Sequence, residues 1–393
     1  MPRRMIPCGL LLRQMIPPAL ILLGAVLLPS LALAQRPPAV VPSRDDTVLE
    51  RLPRGYATLL PETTATDAAA RLTQIQQLLE TAARTGDARL AARADALLSD
   101  FPADSPNASI VRARAFAAQH RHDFDQAVRL LGQLIQIDPR DADARLSRAQ
   151  ILLVQGQLDG ARRDCAMLAF RLDAGRGLLC TAALSLRSGD TDAAASMLDR
   201  WLVAAGPGDA SRRYAQTMRA EVASRAGANN AQTHFERALA LGSDDVRTLA
   251  AYARHLRGGG RHAQVLQLLA NAPESDGLNL ERALAAHASG RPDARALIAA
   301  QGRRYQLARA VGSEPELRDE AEFALTLSND PQRALALALQ NFATQRDSED
   351  VDLLLRAAAA AKQPQALRAL QVWAASQQLQ LPPAIASSTE PKV

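Results

Sequence analysis

Few side chains in this chain stand at spacings that do chemistry. His120 and His122, with Asp123 beside them, could hold a metal weakly, but no further ligand falls at helical spacing from the pair, and a solvated turn explains them better. His234, His255, His262 and His287 stand apart. The sequence contains no HExxH, no Walker loop and no Gly-x-Ser-x-Gly elbow. Gly258-Gly259-Gly260 follows no strand and precedes no Lys-Ser/Thr pair, so it reads as a hairpin turn and not as a nucleotide loop. Glu314, Glu316, Asp319, Glu320 and Glu322 are dense enough to resemble a site. Helical spacing puts Glu316, Asp319 and Glu320 on one face beside Arg318. Pro315 marks a helix start, where the helix dipole favours acidic residues without any catalytic role. The expectation is a non-enzyme with no cofactor and no metal.

The elements that carry these residues follow from composition. Hydrophobic residues make up 48% of the 393 residues but aromatics only 3%, so the core must be built from Ala and Leu. Between residues 65 and 380 no β-branched alternation occurs, and Ala, Leu, Arg and Gln dominate, which predicts helix throughout. The formal charge of +5 includes Arg3, Arg4 and Arg13; without them +2 remains, too little for a nucleic-acid footprint. Those arginines precede an apolar run, Ala19 to Leu33, that ends in Ala32-Leu33-Ala34. Residues 1–34 read as an export signal cleaved after Ala34, which predicts a periplasmic protein with no stable membrane span after cleavage. The alternative is an inner-membrane anchor through residues 16–34. Residues 35–64 read as a Pro-rich linker with one short apolar stretch at Val48, Leu49 and Leu52, and 381–393 as a flexible tail.

Within 65–380 one pattern recurs: an Ala/Leu helix, a turn, then a second helix with a small residue near its start. The small or apolar residues are Ala91, Ala127, Ala161, Ala194, Ala231, Val265, Ala296, Ala334 and Ala366, spaced 31 to 38 residues apart and about 34 on average. Phe124, Ala127, Leu131, Leu134 and Pro139 show one unit, Ala149, Leu152, Gly156, Ala161, Cys165 and Leu168 the next, and Phe235, Ala238 and Leu239 a later one. On these residues the sequence resembles the tetratricopeptide repeat (TPR) family. It departs from it in the first helices, where Ala, Leu or Val fill the bulky aromatic positions. The resemblance implies an all-α, right-handed TPR-type α-solenoid of about nine helical hairpins. Between Asp276 and Ser313, Gly290, Pro292, Gly302 and Gly312 predict an irregular or lengthened hairpin. The layout, export signal included, also resembles exported repeat proteins of Gram-negative bacteria.

By that resemblance, the first helices line a concave groove. Their matching faces carry Arg112, Phe116, Arg176, Arg187, Arg213, Gln216, Arg247, Arg254 and Arg257, with Asp143 the one clear acid. Such a stripe favours an anionic protein or peptide partner through charge-assisted hydrogen bonds. A merely solvated face is the competing reading, because Arg is abundant throughout. The expected function is a non-catalytic periplasmic protein–protein interaction scaffold; the alternative is a glycan- or polymer-binding helper of envelope polysaccharide or outer-membrane assembly. After export only Cys165 and Cys180 remain, eight and seven residues either side of a turn near Asp173, at one level of two antiparallel helices. They either bond or simply pack as small core residues.

Overall fold

The computed structural model describes residues 67–310, 315–377 and 379; the expected export signal (1–34), Pro-rich linker (35–64) and tail (381–393) lie outside the described residues. Among the described residues there is no strand, and the helices pair in chain order into nine antiparallel hairpins. They are α1 (Ala68–Thr85) with α2 (Ala88–Leu98), α3 (Ala108–His120) with α4 (Phe124–Ile137), and α5 (Ala142–Val154) with α6 (Leu158–Met167). Next come α7 (Ala174–Arg187) with α8 (Thr191–Ala204), α9 (Arg212–Arg225) with α10 (Ala231–Leu239), and α11 (Val246–Gly258) with α12 (His262–Leu268). The last three are α13 (Asp276–Ala288) with α14 (Ala294–Ala310), α15 (Leu317–Thr326) with α16 (Pro331–Thr344), and α17 (Ser348–Ala360) with α18 (Arg368–Ser376). The chain is an α-solenoid in which each hairpin packs on the next.

Local sequence explains the punctuation. The side chains of Asp67, Asp87, Asp123, Asp141, Asp173, Asp190, Asp245 and Asp330 each accept a backbone N–H in the first turn of the helix that follows. Each such cap contributes about 1 kcal/mol and marks where the chain re-enters helix. Within every hairpin, one residue in the turn has left-handed φ: Gly86, His122, Gly156, Gly189, Gly227, Gly260, Gly290, Asn329 and Lys362. These turn residues repeat with the same period as the small residues, at spacings of 30 to 39.

The small residues serve close helix crossing. Ala91, Ala127, Ala161, Ala194, Val265 and Ala334 are each the fourth residue of their second helix, and all are buried, as is Ala231 at the start of α10. Hairpin seven differs from expectation. Ala296 is exposed and Ala294, two residues earlier, is the buried one, because α14 begins there directly after the Gly290 to Asp293 turn. α14 also runs 17 residues, the longest second helix described, consistent with a lengthened hairpin over this stretch. In hairpin nine Ala366 sits half-buried in a short 3-10 turn, Pro364–Leu367, with Leu367 buried beside it.

Among the glycine positions, the closest approach to another backbone lies between hairpins three and four. α6 continues as a π-helical turn, Leu168–Leu172, and Gly177 of α7 packs on it so tightly that a Cβ at 177 would stand 2.3 Å from both Cα and N of Ala169. One turn further on, Cys180 meets Cys165: the two form a disulfide with Cα atoms 5.3 Å apart. Both are buried, beside Ala149 and Leu168. Gly177→Ala should therefore lower stability by roughly 2 kcal/mol or more, since the added methyl meets backbone, and this outweighs the gain of about 1 kcal/mol in helix propensity. Thermal unfolding followed by circular dichroism checks this; an unchanged or raised midpoint would contradict the close approach.

Candidate functional site: the inner face and its ion pairs

The solenoid curls until it meets itself. Gly86, in the turn of hairpin one, faces Val246 and Ser275 at the entries to α11 and α13, and Arg84 pairs with Asp244 at 3.3 Å. His122 Nε2, in the turn of hairpin two, lies 3.3 Å from Glu316 Oε2 ahead of α15. The turn of hairpin three is held most firmly. Arg346 N–H donates to the Val154 carbonyl at 2.7 Å, the Arg346 guanidinium to that of Gln155 at 2.6 Å, and the Trp373 indole N–H to that of Gly156 at 3.2 Å. The turn edge of the early hairpins is thus sealed onto the helix-entry edge of hairpins five or six places later.

This curl divides the arginine set read from the sequence into two groups. Arg112, Arg176, Arg213 and Arg247 sit toward the starts of their helices and pair with near neighbours. Arg112 reaches Asp141 at 2.5 Å, Arg176 reaches Asp143 at 2.9 Å, and Arg213 reaches Asp245 at 3.5 Å. Arg247 lies 3.7 Å from Glu221 and stacks over the Tyr214 ring. Arg187, Arg254 and Arg257 sit toward the helix ends and face carboxylates of the last hairpins. Arg187 pairs with Asp347 at 2.9 Å and Arg254 with Glu349 at 3.5 Å; Arg257 pairs with Glu281 at 2.8 Å and Glu322 at 3.8 Å. Phe116 is partly exposed in α3, whereas Gln216 is buried and bonded to His234 of its own hairpin at 2.8 Å, so it faces away from the inner surface.

Sequence reasoning missed the partners. Arg225 reaches Ser348, and Arg318, at the start of α15, lies 3.5 Å from Glu349 and 3.7 Å from Asp350. The acidic cluster seen in the sequence is half of this network. Glu316, Asp319 and Glu322 point into it, while Glu320, itself buried, pairs instead with Arg309 and Arg333; Glu314 lies outside the described residues. The available signal was charge complementarity between an Arg-rich and an acid-rich segment.

The environment separates these acids. Arg254, with help from Arg318, Arg187 and Arg225, holds the Glu349 carboxyl down to about 2 against the opposing effect of burial. Burial pushes Asp319 up to about 7, more than Arg318 beside it can offset, and Glu316 adds to the rise. Burial likewise pushes Asp350 up to about 6.

Two other constellations carry no chemistry. Ser224 Oγ and His255 Nδ1 are 2.8 Å apart, as in a nucleophile–base pair. His255 Nε2, however, receives an N–H of Arg261 at 2.7 Å, so Nδ1 holds the proton and donates it to Ser224, and the imidazole has no lone pair with which to activate the hydroxyl. A cavity of about 430 Å³ near Arg148 and Gln377 contains the Asp164 carboxylate, but Arg148 already binds it with two bonds of 2.7 Å. Among the described residues no three His, Cys, Asp or Glu side chains could hold a metal ion, and no helix is long and apolar enough to cross a membrane.

With this geometry the class of protein is defined: a helical-hairpin repeat solenoid. Residues 115–168, from within α3 to just past the end of α6, match the tetratricopeptide repeat family model. Among solved structures, the Cut9–Hcn1 hetero-tetramer of APC/C is similar at 14% identity and a TM-score of 0.50, over 83% of this chain and 64% of that one. Yeast Tom70 is similar at 13% identity and a TM-score of 0.45, over 82% and 69% of the two chains. A tetratricopeptide repeat protein from Parabacteroides merdae is similar at 17% identity and a TM-score of 0.39, over 64% and 98%. At these identities the likeness is one of fold. Among curated proteins no sequence relative matches the chain.

Asp319 supplies a pH test. A carboxyl whose folded pKa lies above its unfolded value favours folding while it is protonated, and that contribution is lost as pH rises from about 4 through about 7. Asp319→Asn should therefore match the wild type at pH 4.5 and exceed it at pH 8, by on the order of 1 kcal/mol. Melting temperatures across that range decide it; parallel pH profiles of the two proteins would show Asp319 to be unperturbed.

Proposed function

We propose that this protein is a non-catalytic, exported interaction scaffold whose arginine-lined inner face grips carboxylates of an anionic protein or peptide partner. The tetratricopeptide fold generally mediates protein–protein interaction, which supports the class. The observation that carries the finer reading is the set of internal ion pairs. Arg187, Arg254 and Arg257, from two first helices, already hold Asp347, Glu349, Glu281 and Glu322. The surface is thus built for carboxylates, and an acidic partner would bind in exchange for the chain's own.

Arg257 is unsuitable as a probe, because its loss would strand the buried Glu281 carboxylate at a cost of about 3 kcal/mol or more. Arg254 and Glu349 keep 31% and 44% of their side-chain surface and can be changed with less damage. Affinity capture from periplasm with the chain lacking residues 1–34 is expected to weaken when Arg247 and Arg254 are both changed to Ala, and when salt is raised. Glu349→Gln, which frees Arg254 and Arg318 from an internal competitor, should strengthen it. Undiminished capture by the double variant in low salt would remove the inner face from consideration.

Export to the periplasm is part of the proposal. It is supported by the arginine and apolar pattern of residues 1–34 and by the Cys165–Cys180 bond, since structural disulfides persist in oxidising compartments. Protein isolated from periplasm under non-reducing conditions should show a mass lower by two hydrogens than the reduced chain. Two alkylatable thiols there would count against both the bond and the compartment.

A further inference from the structure

The seal described above uses one edge of the solenoid, where first helices begin and second helices end. In hairpins six to nine this edge is covered by the chain itself, through Asp244, Val246, Ser275, Glu316, Arg346, Asp347 and Ser348. Among the described residues no earlier coil covers the same edge of hairpins two to five, and there it carries large apolar side chains. Ile137, Phe170, Val203 and Leu241 are 58%, 83%, 88% and 43% exposed. Each stands fourteen or fifteen residues after the left-handed turn residue of its hairpin, so the four occupy one register position in four successive repeats. Met167, also exposed, adds a fifth apolar group one turn before Phe170. Fourteen residues after the turn, the other hairpins carry Asp100, Glu274, Arg304, Ala343 and Ser376.

Charge accompanies the row. Arg140, Arg171, Arg200 and Arg237 are exposed, each within four residues of one of the apolar groups, and among the described residues none of them forms an ion pair. Of the acids within four residues of Ile137, Phe170, Val203 or Leu241, Asp141, Asp173, Asp199, Asp244 and Asp245 are paired with Arg112, Arg176, Arg219, Arg84 and Arg213, which leaves Asp138 exposed on the row. A single file of apolar groups flanked by cations suits a partner with one apolar seam and acidic flanks. Spacing narrows the choice further. Packed helices lie about 8–10 Å apart, so successive hairpins advance the row by about 10 Å. One heptad of α-helix rises about 10.5 Å, so a partner helix meets each repeat with one seam residue per heptad.

We propose that the open edge of hairpins two to five docks an acidic amphipathic α-helix of a partner protein, its apolar seam along Ile137, Phe170, Val203 and Leu241 and its carboxylates against the four arginines. This surface is separate from the inner face, so Arg247→Ala with Arg254→Ala should leave it unaffected. The test uses two synthetic helical peptides of about 24 residues with the same leucine heptad seam, one flanked by Glu and the other by Lys. Fluorescence anisotropy with the folded chain is expected to show binding of the Glu peptide and little of the Lys peptide. Phe170→Ser with Val203→Ser should weaken the Glu peptide about tenfold or more. Val372→Ser, which alters an exposed apolar residue outside the row, should not. Arg171→Glu with Arg200→Glu should reverse the preference between peptides. The proposal is overturned if neither peptide binds, if the two bind alike, or if the serine variants bind as the wild type does. It is equally overturned if the row instead mediates self-association by sedimentation, or adsorption to phosphatidylglycerol vesicles, with no preference for the Glu peptide.

Discussion

Each hairpin reverses on one residue held in the left-handed region, and the remainder of the architecture depends on that constraint. The left-handed conformation costs most L-residues about 1–2 kcal/mol, so six of the nine positions are glycine. The reversal it permits is short and blunt, and a blunt turn can approach another part of the coil. Gly156 shows both needs at once. Its φ is +69°, and a Cβ there would stand 2.7 Å from the indole of Trp373, which also binds its carbonyl. At hairpin two the turn residue is His122, which tolerates the conformation and extends its ring to Glu316, stacked on Phe124. Turn chemistry and coil closure are therefore one problem solved by the same residues.

Closure brings opposite charges out of water together. Pairs of this kind contribute little net stability over an apolar equivalent, but removing one member leaves the other unpaired. Arg318 illustrates the consequence: Glu349 and Asp350 surround it only when α15 and α17 are in register, so misalignment strands a cation. The acids respond unequally. Glu349 faces several arginines and stays ionised far into acid, while Asp319, close mainly to Arg318, resists ionisation up to neutrality. The inner face is therefore nearly compensated yet not inert, since its charge rises by one anion as Asp319 titrates.

The repeat was legible because it is local. Asp caps, turn glycines and a small residue at the fourth position of the second helix fall within one hairpin and recur every 34 residues or so. Where the small-residue register shifted, at Ala294 rather than Ala296, the Gly290 turn showed the true start of the helix. Helical spacing marked the arginines as non-core, and six of the seven are half-buried in ion pairs whose partners the spacing does not show. Arg187 and Asp347 are separated by 160 positions, and no periodicity in either segment reports the curvature that joins them. Gln216 was misread for a nearer reason: a face drawn from helical spacing does not show that His234 of the same hairpin takes the side chain inward.

Every solenoid leaves two ends, and a coil that seals edge to edge also leaves the first coil's outer edge open. Here the two stretches of that edge are built differently. Where the chain covers it, the edge is polar and its groups are used: Asp244, Glu316, Asp347 and Ser348 all meet a basic or hydrogen-bonding side chain. Where none of the described residues covers it, Ile137, Phe170, Val203 and Leu241 are exposed in register. Isolated exposed apolar residues are ordinary on any protein surface, but an in-register row over four repeats is not, because nothing in the hairpin's own core requires it. Solvation alone would place polar groups there, as it does at Asp100 of hairpin one. A surface that is apolar only where its own coil does not cover it has the character of an interface awaiting another chain.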